Sequence, residues 1–544
     1  MKVCMAQLNY RIGDVESNAK KMLKAIDNAK ASQAELIVFS ELSLTGYPPK
    51  DLLDYDSFID HCAKLKEQLI QASRGIAIVF GAPHPNTSNK GKKLYNSALV
   101  AIEGKLEYVV NKTLLPNYDI FNESRFFEEN RSFSCIDISG KKVALTICED
   151  LWNIRSQKIY RQTPMDELAK ENPDFILNIS ASPYNYNQME ERETIMKENA
   201  KKYNLPLIYV NQVGAQTDII FDGGSLFLNK KGEVIHRCNF FEESLEIIET
   251  NHQKTEQKIL SKKNGDISHI YQALLLGLKD YFEKLNFKKA IFGSSGGIDS
   301  AVTAALAAKV LGKKNISAVL MPSKFSSKSS LTDAHQLTKN LGIHQFILPI
   351  QETVNTFEKT LEDTFNGLPR DATEENLQAR TRGVLLMAMS NKFGYILLNT
   401  SNKSESAVGY TTLYGDMSGG LSVIGDLYKT QVYELAHYLN RDEEIIPRNI
   451  LQKEPSAELK PNQKDTDSLP DYHVLDKILF NYIERQKGLE QIVEMGFDKS
   501  LVHRVIQMVD HNVYKRFQAP PTLRISSKAF GVGRQMPIVG KYRF

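Results

Sequence analysis

A polar, charged segment separates two parts of this chain whose hydrophobic patterns differ. Residues 249–266, ETNHQKTEQKILSKKNGD, contain few bulky apolar side chains, which is typical of an interdomain linker. A surface helix within one larger domain would have a similar composition. The chain has 544 residues, more than one hydrophobic core usually serves. We therefore predict two domains, residues 1–250 and 267–544, joined by a linker at 251–266.

The two parts predict different α/β architectures. In the first part, β-branched and aromatic runs favour buried strands at residues 2–8, 35–40, 76–80, 98–102, 108–111, 143–148, 175–179, 207–211 and 225–228, with helices at 18–31 and 189–203. A sandwich of sheets covered by helices, of α+β class, would account for this pattern. The second part alternates strictly, with strands at 290–293, 317–321, 345–349 and 395–399 and helices at 300–311, 331–341 and 374–392. That alternation predicts a parallel sheet with crossover helices on both faces.

Charge and cysteine content narrow the possible partners and the compartment. The 68 basic and 65 acidic residues nearly balance, so the chain has no global attraction to nucleic acid or to an anionic membrane. Its five cysteines are scattered without a CxxC pair, which disfavours a disulfide framework or a structural metal. The N-terminus lacks signal-peptide features, and no run approaches the roughly 20 apolar residues of a membrane span. We expect a cytoplasmic protein with small-molecule substrates.

Three chemically useful side chains stand at the ends of predicted strands in the first part. Glu41 follows ELIVFS, Lys112 follows YVVN, and Cys148 ends VALTIC. Side chains at the carboxyl ends of strands converge on a rigid edge, and a base, a cation and a thiol together suit amide cleavage. Each residue also has a simpler explanation: a buried inert thiol, a turn-capping acid and a solvated lysine.

The sequence segments around these residues resemble those of a known family. FSELSLTGYPPKDLL, NKTLLPNYDIFNESRFF and TICEDLW resemble, in order, the three signature blocks of the nitrilase (carbon–nitrogen hydrolase) superfamily, and more narrowly its glutaminase branch fused to NAD⁺ synthetases. The resemblance implies an αββα sandwich in which Glu41 is the general base, Lys112 stabilises the oxyanion and the thiolate, and Cys148 is the nucleophile.

The same resemblance implies contacts with a glutamine substrate. Tyr118 and Glu149 match positions that contact glutamine in this branch. Ser182 and Arg192, in SASPYNYNQMEERET, are expected at its amino-acid end, with Ser180 as an alternative to Ser182. For Arg192, an ordinary charge on a helix surface is an equally good explanation.

A Gly/Ser loop opens the second part, within KKAIFGSSGGIDSAVTAALAAKVL. Gly296 and Gly297 let the backbone approach a ligand closely, and the start of the following helix favours an anion. Ser294, Ser295 and Ser300 add hydroxyl donors. The loop lacks the GK[ST] of a Walker A sequence and is not a GxGxxG fingerprint. Instead, SGGIDS resembles the SGGxDS pyrophosphate loop of the ATP pyrophosphatase class, which implies a Rossmann-like α/β/α domain of the adenine nucleotide alpha hydrolase-like type.

A second signature, NTSNKSESAVGYTTLYGDMSGGLSVIGDLYKTQVYEL, resembles that of NAD⁺ synthetases. Asp299, inside the SGGIDS loop, is a hard oxygen ligand beside the phosphates, where Mg²⁺ would sit. By the match of the second signature, Glu405 is a second ligand of Mg²⁺, Thr400 contacts ATP, and Lys429 faces the triphosphate. Asp416 belongs to the nicotinate-side pocket.

Further substrate contacts are implied outside these two signatures. ENLQARTRG contributes Asn376 and Arg380 toward ATP or nicotinate adenine dinucleotide, whereas Arg382 is equally compatible with a solvated charge. Lys528, in APPTLRISSKAFGVGRQMPI, is a candidate contact to substrate. Residues 323–330, SKFSSKSS, should cover the nucleotide, as a lid or as any exposed loop.

Taken together, the resemblances imply a complete reaction. Glutamine would supply ammonia in the first domain, and the second would use ATP with Mg²⁺ to amidate nicotinate adenine dinucleotide through an adenylate. An enclosed ammonia passage and a homo-oligomer are expected with it. Two alternatives stay open: a ligase of this architecture acting on another carboxylate, and an amidase regulated by a nucleotide-sensing domain.

Overall fold

The computed structural model describes residues 1–88, 90–154, 159–251 and 266–542. The chain forms two compact units, Met1–Asn264 and Gly265–Phe544, each with its own sheets and core. The predicted linker at 251–266 lies almost entirely outside the described residues. No helix in the described ranges combines the length and the apolar content that crossing a membrane requires.

The first unit contains fourteen described strands and four described α-helices. The strands are β1 Lys2–Gln7, β2 Leu36–Val38, β3 Ala77–Pro85, β4 Leu94–Ile102, β5 Lys105–Asn111, β6 Ile136–Ile138, β7 Lys141–Ile147, β8 Phe175–Ser180, β9 Leu207–Asn211, β10 Val213–Gln216, β11 Ile219–Asp222, β12 Leu226–Leu228, β13 Val234–Arg237 and β14 Ser244–Glu249. The helices are α1 Val15–Ala31, α2 Asp56–Gln71, α3 Pro164–Leu168 and α4 Gln188–Tyr203.

Two six-stranded sheets form the centre of this unit. Their strand orders are β14-β1-β2-β3-β4-β5 and β13-β12-β9-β8-β7-β6, and β10 pairs with β11 separately. Val3, Val38 and Val100 of one sheet pack with Leu145 and Ile179 of the other. Fully burying such a side chain contributes about 1.5–3 kcal/mol, so the layer between the sheets is a main source of stability.

Helices cover the outer face of each sheet. Met22 of α1 and Leu69 of α2 pack on one sheet, and Ile195 of α4 packs on the other. The resulting layer order, helix–sheet–sheet–helix, is the αββα sandwich that the nitrilase resemblance implied, and that fold class is confirmed.

Sequence patterns predicted nine of the fourteen described strands of this unit and two of its four described α-helices. The strands β6, β10, β11, β13 and β14 and the helices α2 and α3 were not predicted. A strand of three to six residues has too short a pattern to identify it, and β14 is fixed by antiparallel pairing with β1. Cys148, predicted to end a strand, instead begins a 3₁₀ turn, Cys148–Leu151.

The second unit contains five described strands among many helices. The strands are β15 Ala290–Gly293, β16 Ile316–Leu320, β17 His344–Ile347, β18 Ile396–Asn399 and β19 Leu421–Ser422. The helices are α5 Ile267–Lys284, α6 Ile298–Leu311, α7 Lys328–Leu341, α8 Gln351–Phe365, α9 Ala372–Phe393, α10 Lys403–Val408, α11 Lys429–Leu439, α12 Arg448–Gln452, α13 Tyr472–Leu479, α14 Leu489–Val493, α15 Lys499–His511 and α16 Val513–Arg516.

The sheet of this unit is parallel throughout, with strand order β17-β16-β15-β18-β19. After β15, the strands β16 and β17 are added on one side of it, and β18 and β19 are then added on its other side. Ligands bind sheets of this type at the carboxyl ends of the strands, where the order reverses. The predicted strand–helix alternation and the Rossmann-like class are confirmed.

Candidate active sites

Glu41, Lys112 and Cys148 lie at the same edge of the sandwich, although they come from both sheets. Glu41 follows β2, Lys112 follows β5, and Cys148 follows β7. Lys112 Nζ lies 2.7 Å from Glu41 Oε1, and both side chains are buried. Cys148 is close enough that the charges of Glu41 and Lys112 both act on the pKa of its thiol.

Glu41 is held in place by donors from three segments. Its Oε1 accepts hydrogen bonds from Lys112 Nζ and from Asn96 Nδ2 at 2.7 Å. Its Oε2 accepts the backbone N–H of Ala181 at 3.0 Å. These contacts fix the carboxylate where both sheets end.

A second acid, Glu123, completes the surroundings of Lys112 and was missed by the sequence analysis. Glu123 Oε1 lies 2.7 Å from Lys112 Nζ and accepts a hydrogen bond from the Tyr47 hydroxyl at 2.8 Å. Burial raises the pKa of Glu123 to about 6, and Lys112 partly offsets this rise. Burial opposes the charge on Lys112, but Glu123 and Glu41 outweigh it and raise the pKa of the ammonium well above its usual value.

Cys148 is buried and its backbone has φ of +42°, which is a strained conformation for a residue with a side chain. Burial raises the pKa of its thiol well above the ordinary value. Glu41 raises it further, and Lys112 opposes the rise only in part. These surroundings favour the protonated thiol, because burial and the charge of Glu41 together outweigh the effect of Lys112.

The side chain of Asp150 connects the segment after Lys112 to the residue before Cys148. Its Oδ1 accepts the backbone N–H groups of Thr113 at 3.0 Å and Leu114 at 2.8 Å. Its Oδ2 accepts the N–H of Ile147 at 3.0 Å. One buried carboxylate thus fixes the residues next to Lys112 against the residue before Cys148.

Glu149, the residue after the thiol, accepts hydrogen bonds from two tyrosines. The Tyr118 hydroxyl lies 3.0 Å from both of its oxygens, and the Tyr160 hydroxyl lies 3.0 Å from Oε1. Burial raises the pKa of Glu149 to about 7; Lys112 and the two hydroxyls lower it in part. Tyr160 was not identified from the sequence, since no pattern links it to Glu149.

The other predicted glutamine contacts have structural partners. Both terminal nitrogens of Arg192 bind Asp222, at 2.9 and 2.5 Å, and the pair is buried. The alternative of a surface charge is therefore wrong, and a direct contact with substrate finds no support in this geometry. Ser182 is buried and binds the Asn211 side chain through its backbone, whereas the Ser180 hydroxyl donates to Asn178 Oδ1.

In the second unit, residues 294–300, here named the phosphate loop, comprise the turn after β15 and the first residues of α6. Gly296 has φ of +75°, and a Cβ there would lie 2.2 Å from the carbonyl oxygen of Ser330. Only glycine fits this position. Ser295 and Ser300 shape the loop internally: the Ser300 hydroxyl donates to the Gly297 carbonyl, and the Ser295 hydroxyl accepts the Gly297 N–H.

A cavity of about 290 Å³ opens at the phosphate loop. The predicted site residues that line it are Ser294, Ser295, Gly296, Gly297, Asp299, Ser300, Thr400, Glu405, Asp416 and Lys429. Arg382, which the sequence left undecided, also lines it. In the 323–330 segment, Ser326 and Ser330 reach the cavity wall, and α7 begins within the segment rather than after it.

Lys429 joins two carboxylates at this cavity. Its Nζ lies 2.6 Å from Asp299 Oδ2 and 3.3 Å from Glu405 Oε1, and Asn402 Nδ2 donates to Asp299 Oδ1 at 2.8 Å. Burial raises the pKa of Glu405 to about 8, Lys429 opposes this rise, and Asp299 adds to it. The carboxylate charge is thus incompletely compensated by the protein.

This donor set fits Mg²⁺, which is commonly held by one or two carboxylates together with substrate phosphates. Within the part of the chain that the structure describes, no cluster of three or more His, Cys, Asp or Glu side chains is arranged to hold a metal ion. A pair of carboxylates beside a phosphate loop meets the requirement without such a cluster.

Three predicted substrate residues lie outside the cavity wall. Asn376 Oδ1 accepts the Thr412 hydroxyl at 2.7 Å, and Thr412 N–H binds Asp416 at 2.7 Å. Arg380 donates to the Leu413 carbonyl at 3.2 Å, so both α9 residues contact the segment that carries Asp416. Lys528 Nζ lies 3.3 Å from the Gly533 carbonyl.

Comparisons with known proteins agree with both units. The Carbon-nitrogen hydrolase family model matches residues 2–259, and the NAD synthase family model matches residues 270–519. Glutamine-dependent NAD(+) synthetases of a Synechocystis strain and of Acinetobacter baylyi are 44% and 43% identical; the matches cover 98% and 100% of this chain and 98% and 99% of the relatives.

Solved structures extend this agreement to three dimensions. The glutamine-dependent NAD+ synthetase of Acinetobacter baumannii, solved with adenosine diphosphate, has a TM-score of 0.78 at 40% identity, covering 99% of this chain and 98% of that one. The enzyme of Cytophaga hutchinsonii, at 20% identity, has a TM-score of 0.83 over 99% and 98% of the two chains, which shows a shared fold. This chain belongs to the family of glutamine-dependent NAD(+) synthetases.

Proposed function

We propose that this chain makes NAD⁺ by amidating nicotinate adenine dinucleotide, with glutamine as the nitrogen source and ATP as the energy source. The observation that carries the proposal is the presence of two chemically complementary sites in one chain. The first has a thiol, a base and an ammonium at one edge of the sandwich. The second has a glycine-containing anion loop beside two carboxylates and a lysine.

In the first unit, Cys148 attacks the side-chain amide of glutamine. Because the surroundings of the thiol favour its protonated form, Glu41 takes its proton as the sulfur–carbon bond forms. Lys112 stabilises the negative oxygen of the tetrahedral intermediate. Glu41 then gives the proton to the leaving nitrogen, and ammonia departs from a thioester.

Water completes the hydrolysis of the thioester. Glu41 removes a proton from the water as its oxygen attacks, the carbon–sulfur bond breaks, and glutamate and the free thiol are released. Glu123 keeps Lys112 charged throughout, and Asp150 keeps the lysine and the thiol in register. Both are positioning residues in this mechanism.

Substrate recognition in the first unit is proposed for a smaller set than the sequence implied. Glu149 attracts the α-ammonium group of glutamine, while Tyr118 orients Glu149 and borders the substrate. Ser182 lies at the amino-acid end. Arg192, near the start of α4, binds Asp222 at the end of β11 and so holds the helix against that strand.

In the second unit, the carboxylate of nicotinate adenine dinucleotide attacks the α-phosphorus of ATP. The bond to the β-phosphate oxygen breaks, pyrophosphate leaves, and an acyl adenylate forms. The phosphate loop, through its backbone N–H groups and residues Ser294 to Ser300, and Lys429 hold the triphosphate. Ammonia then attacks the acyl carbon, AMP leaves, and NAD⁺ is formed.

Asp299 and Glu405 are proposed to hold Mg²⁺ with the ATP phosphates, where the ion would neutralise charge on the leaving pyrophosphate. Thr400 is proposed to contact ATP at the end of β18. For the dinucleotide, the proposed contacts are Asn376, Arg380, Asp416 and Lys528. The link from Asn376 through Thr412 to Asp416 supports a joint role for the first three.

Ammonia has to reach the second site unprotonated, because ammonium is not a nucleophile. We therefore propose that ammonia passes between the sites without mixing with bulk water. We also propose that the protein is a homo-oligomer and is located in the cytoplasm. An external ammonia-consuming enzyme present during glutamine-driven turnover tests the passage. Loss of NAD⁺ formation under that trap would exclude it.

The decisive experiment measures NAD⁺, AMP and pyrophosphate formed by wild type and by Cys148→Ala. We expect wild type to use glutamine or ammonium, with the three products in equal amounts. The variant should lose only the glutamine-driven reaction, because the thiol serves hydrolysis alone. Equal loss with both nitrogen sources would contradict the division of labour, and absence of NAD⁺ from wild type would refute the function.

A further inference from the structure

A second lysine reaches the wall of the synthetase cavity from the segment after α12. Lys453 directly follows α12 and lines the cavity together with the phosphate loop. Its Nζ donates to the hydroxyl of Ser330 and lies 3.0 Å from Glu458 Oε1. The mechanism derived above does not use this side chain.

Ser330 links Lys453 to the phosphate loop, through its carbonyl on one side and its hydroxyl on the other. Gly296 approaches the carbonyl of Ser330 so closely that a Cβ would lie 2.2 Å from it. The hydroxyl of that same serine binds the Lys453 amine. The ammonium is therefore one residue away from the loop that is proposed to bind the triphosphate.

The other cations of the cavity are already engaged. Three basic residues line it: Arg382, Lys429 and Lys453. Lys429 pairs with two carboxylates, and Arg382 Nε donates to the Met321 carbonyl at 3.2 Å. Lys453 has one carboxylate partner among the described residues, one fewer than Lys429, so its ammonium is released to a ligand more easily than that of Lys429.

Glu458 remains satisfied when Lys453 leaves it. Its Oε1 accepts the hydroxyls of Ser327 at 2.8 Å and Ser330 at 2.6 Å, and its Oε2 accepts the Ser327 N–H at 3.2 Å. The Lys453–Glu458 pair is also partly exposed, and ion pairs of that kind are weak. Breaking the ion pair with Glu458 so that Lys453 can bind phosphate oxygens therefore costs little free energy.

We propose that Lys453 binds the β- and γ-phosphates of ATP and the pyrophosphate that leaves, exchanging Glu458 for phosphate oxygens. A lysine ammonium suits this task because it is a compact point charge with three rotatable donors. The proposal deepens the proposed function and rests on it, since it assumes that the phosphate loop holds a triphosphate.

The test compares ligands that contain or lack the two outer phosphates. Binding of ATP, inorganic pyrophosphate and AMP is measured by calorimetry in the presence of Mg²⁺ for wild type and Lys453→Gln. We expect ATP and pyrophosphate affinity to fall about 10- to 100-fold, the loss of one charge-assisted hydrogen bond. AMP affinity should change less than about twofold, and Lys453→Arg should recover most of the loss.

Lys460→Gln is the matched control, because Lys460 is in the same segment but is exposed, away from the cavity wall, 3.7 Å from Glu375. It removes the same charge and should leave all three affinities unchanged. Equal weakening of ATP, pyrophosphate and AMP by Lys453→Gln would indicate a structural role and overturn the proposal. Unchanged ATP and pyrophosphate affinity would also overturn it. Failure of the proposed function is distinguishable, because it appears as absent NAD⁺ formation by wild type.

Discussion

Glu149 offers a sharp test of glutamine recognition because its pKa lies near neutrality. Its carboxylate is buried next to Cys148, accepts the hydroxyls of Tyr118 and Tyr160, and has a pKa raised by burial to about 7. Below that pH it is protonated and uncharged. Only the ionised form, present above it, attracts the α-ammonium of glutamine.

The expected size of the effect follows from the ionised fraction. With a pKa of about 7, about a tenth of Glu149 is ionised at pH 6 and about nine tenths at pH 8. We expect kcat/KM for glutamine hydrolysis to rise roughly tenfold over this range, since this parameter reports the free enzyme. Glu149→Gln should lower kcat/KM at pH 8 by about 10- to 100-fold, because a hydrogen bond to a charged group contributes about 1.5–3 kcal/mol.

The assay is glutamate release across pH 6 to 8, with ammonium-driven NAD⁺ formation as the control for an intact second unit. Tyr118→Phe and Tyr160→Phe each remove a hydroxyl that lowers the pKa of Glu149, so each should move the midpoint to higher pH. If Glu149→Gln keeps the full rise between pH 6 and 8, another group controls it and the reasoning is refuted.

Two further substitutions test the positioning of each site. Gly296→Ala places a Cβ 2.2 Å from the Ser330 carbonyl at φ of +75°; we expect NAD⁺ formation from both nitrogen sources to be lost while glutaminase activity remains, and substantial retained synthesis would contradict the close approach. Asp150→Asn turns an oxygen that accepts the Ile147 N–H into a donor. It should destabilise the first unit by about 1–3 kcal/mol, measured by calorimetric unfolding, and lower glutamine-driven but not ammonium-driven synthesis; unaltered glutamine kinetics would refute this role.

Local patterns in the sequence were enough for many strands and helices and for the phosphate loop, although the long helices α2, α5 and α8 were not predicted. The alternation around β15, α6 and β16 depends on residues close together in the chain, so hydrophobic periodicity indicates it directly. Gly296 is similar, because an SGGxDS loop between a strand and a helix has a limited set of backbone forms. The order of the strands and the pairing of β14 with β1 were not predictable in this way, since hydrogen bonds between distant segments decide them.

In the first active site, too, local sequence segments identified some residues, whereas others depend on contacts between residues far apart in the chain. The flanking sequence segments identified Glu41, Lys112 and Cys148. Glu123 and Tyr160 were not identified, because their importance comes from contacts with Lys112 and Glu149 that no spacing rule predicts. For Arg192, a surface charge stayed an open alternative for the same reason: its partner, Asp222, is 30 residues away in the sequence.

The sequence by itself determined which chemical groups the protein carries, the order of its two domains, and much of the strand–helix pattern of each. Only the tertiary structure decided the surroundings of these groups: burial raises the pKa of the Cys148 thiol, Lys112 is shared by two acids, and burial raises the pKa of Glu149 to about 7. The physical reason is that burial and charge–charge interactions depend on which distant segments meet. A linear sequence specifies the groups, whereas folding sets the dielectric surroundings and the neighbours that shift their pKa values.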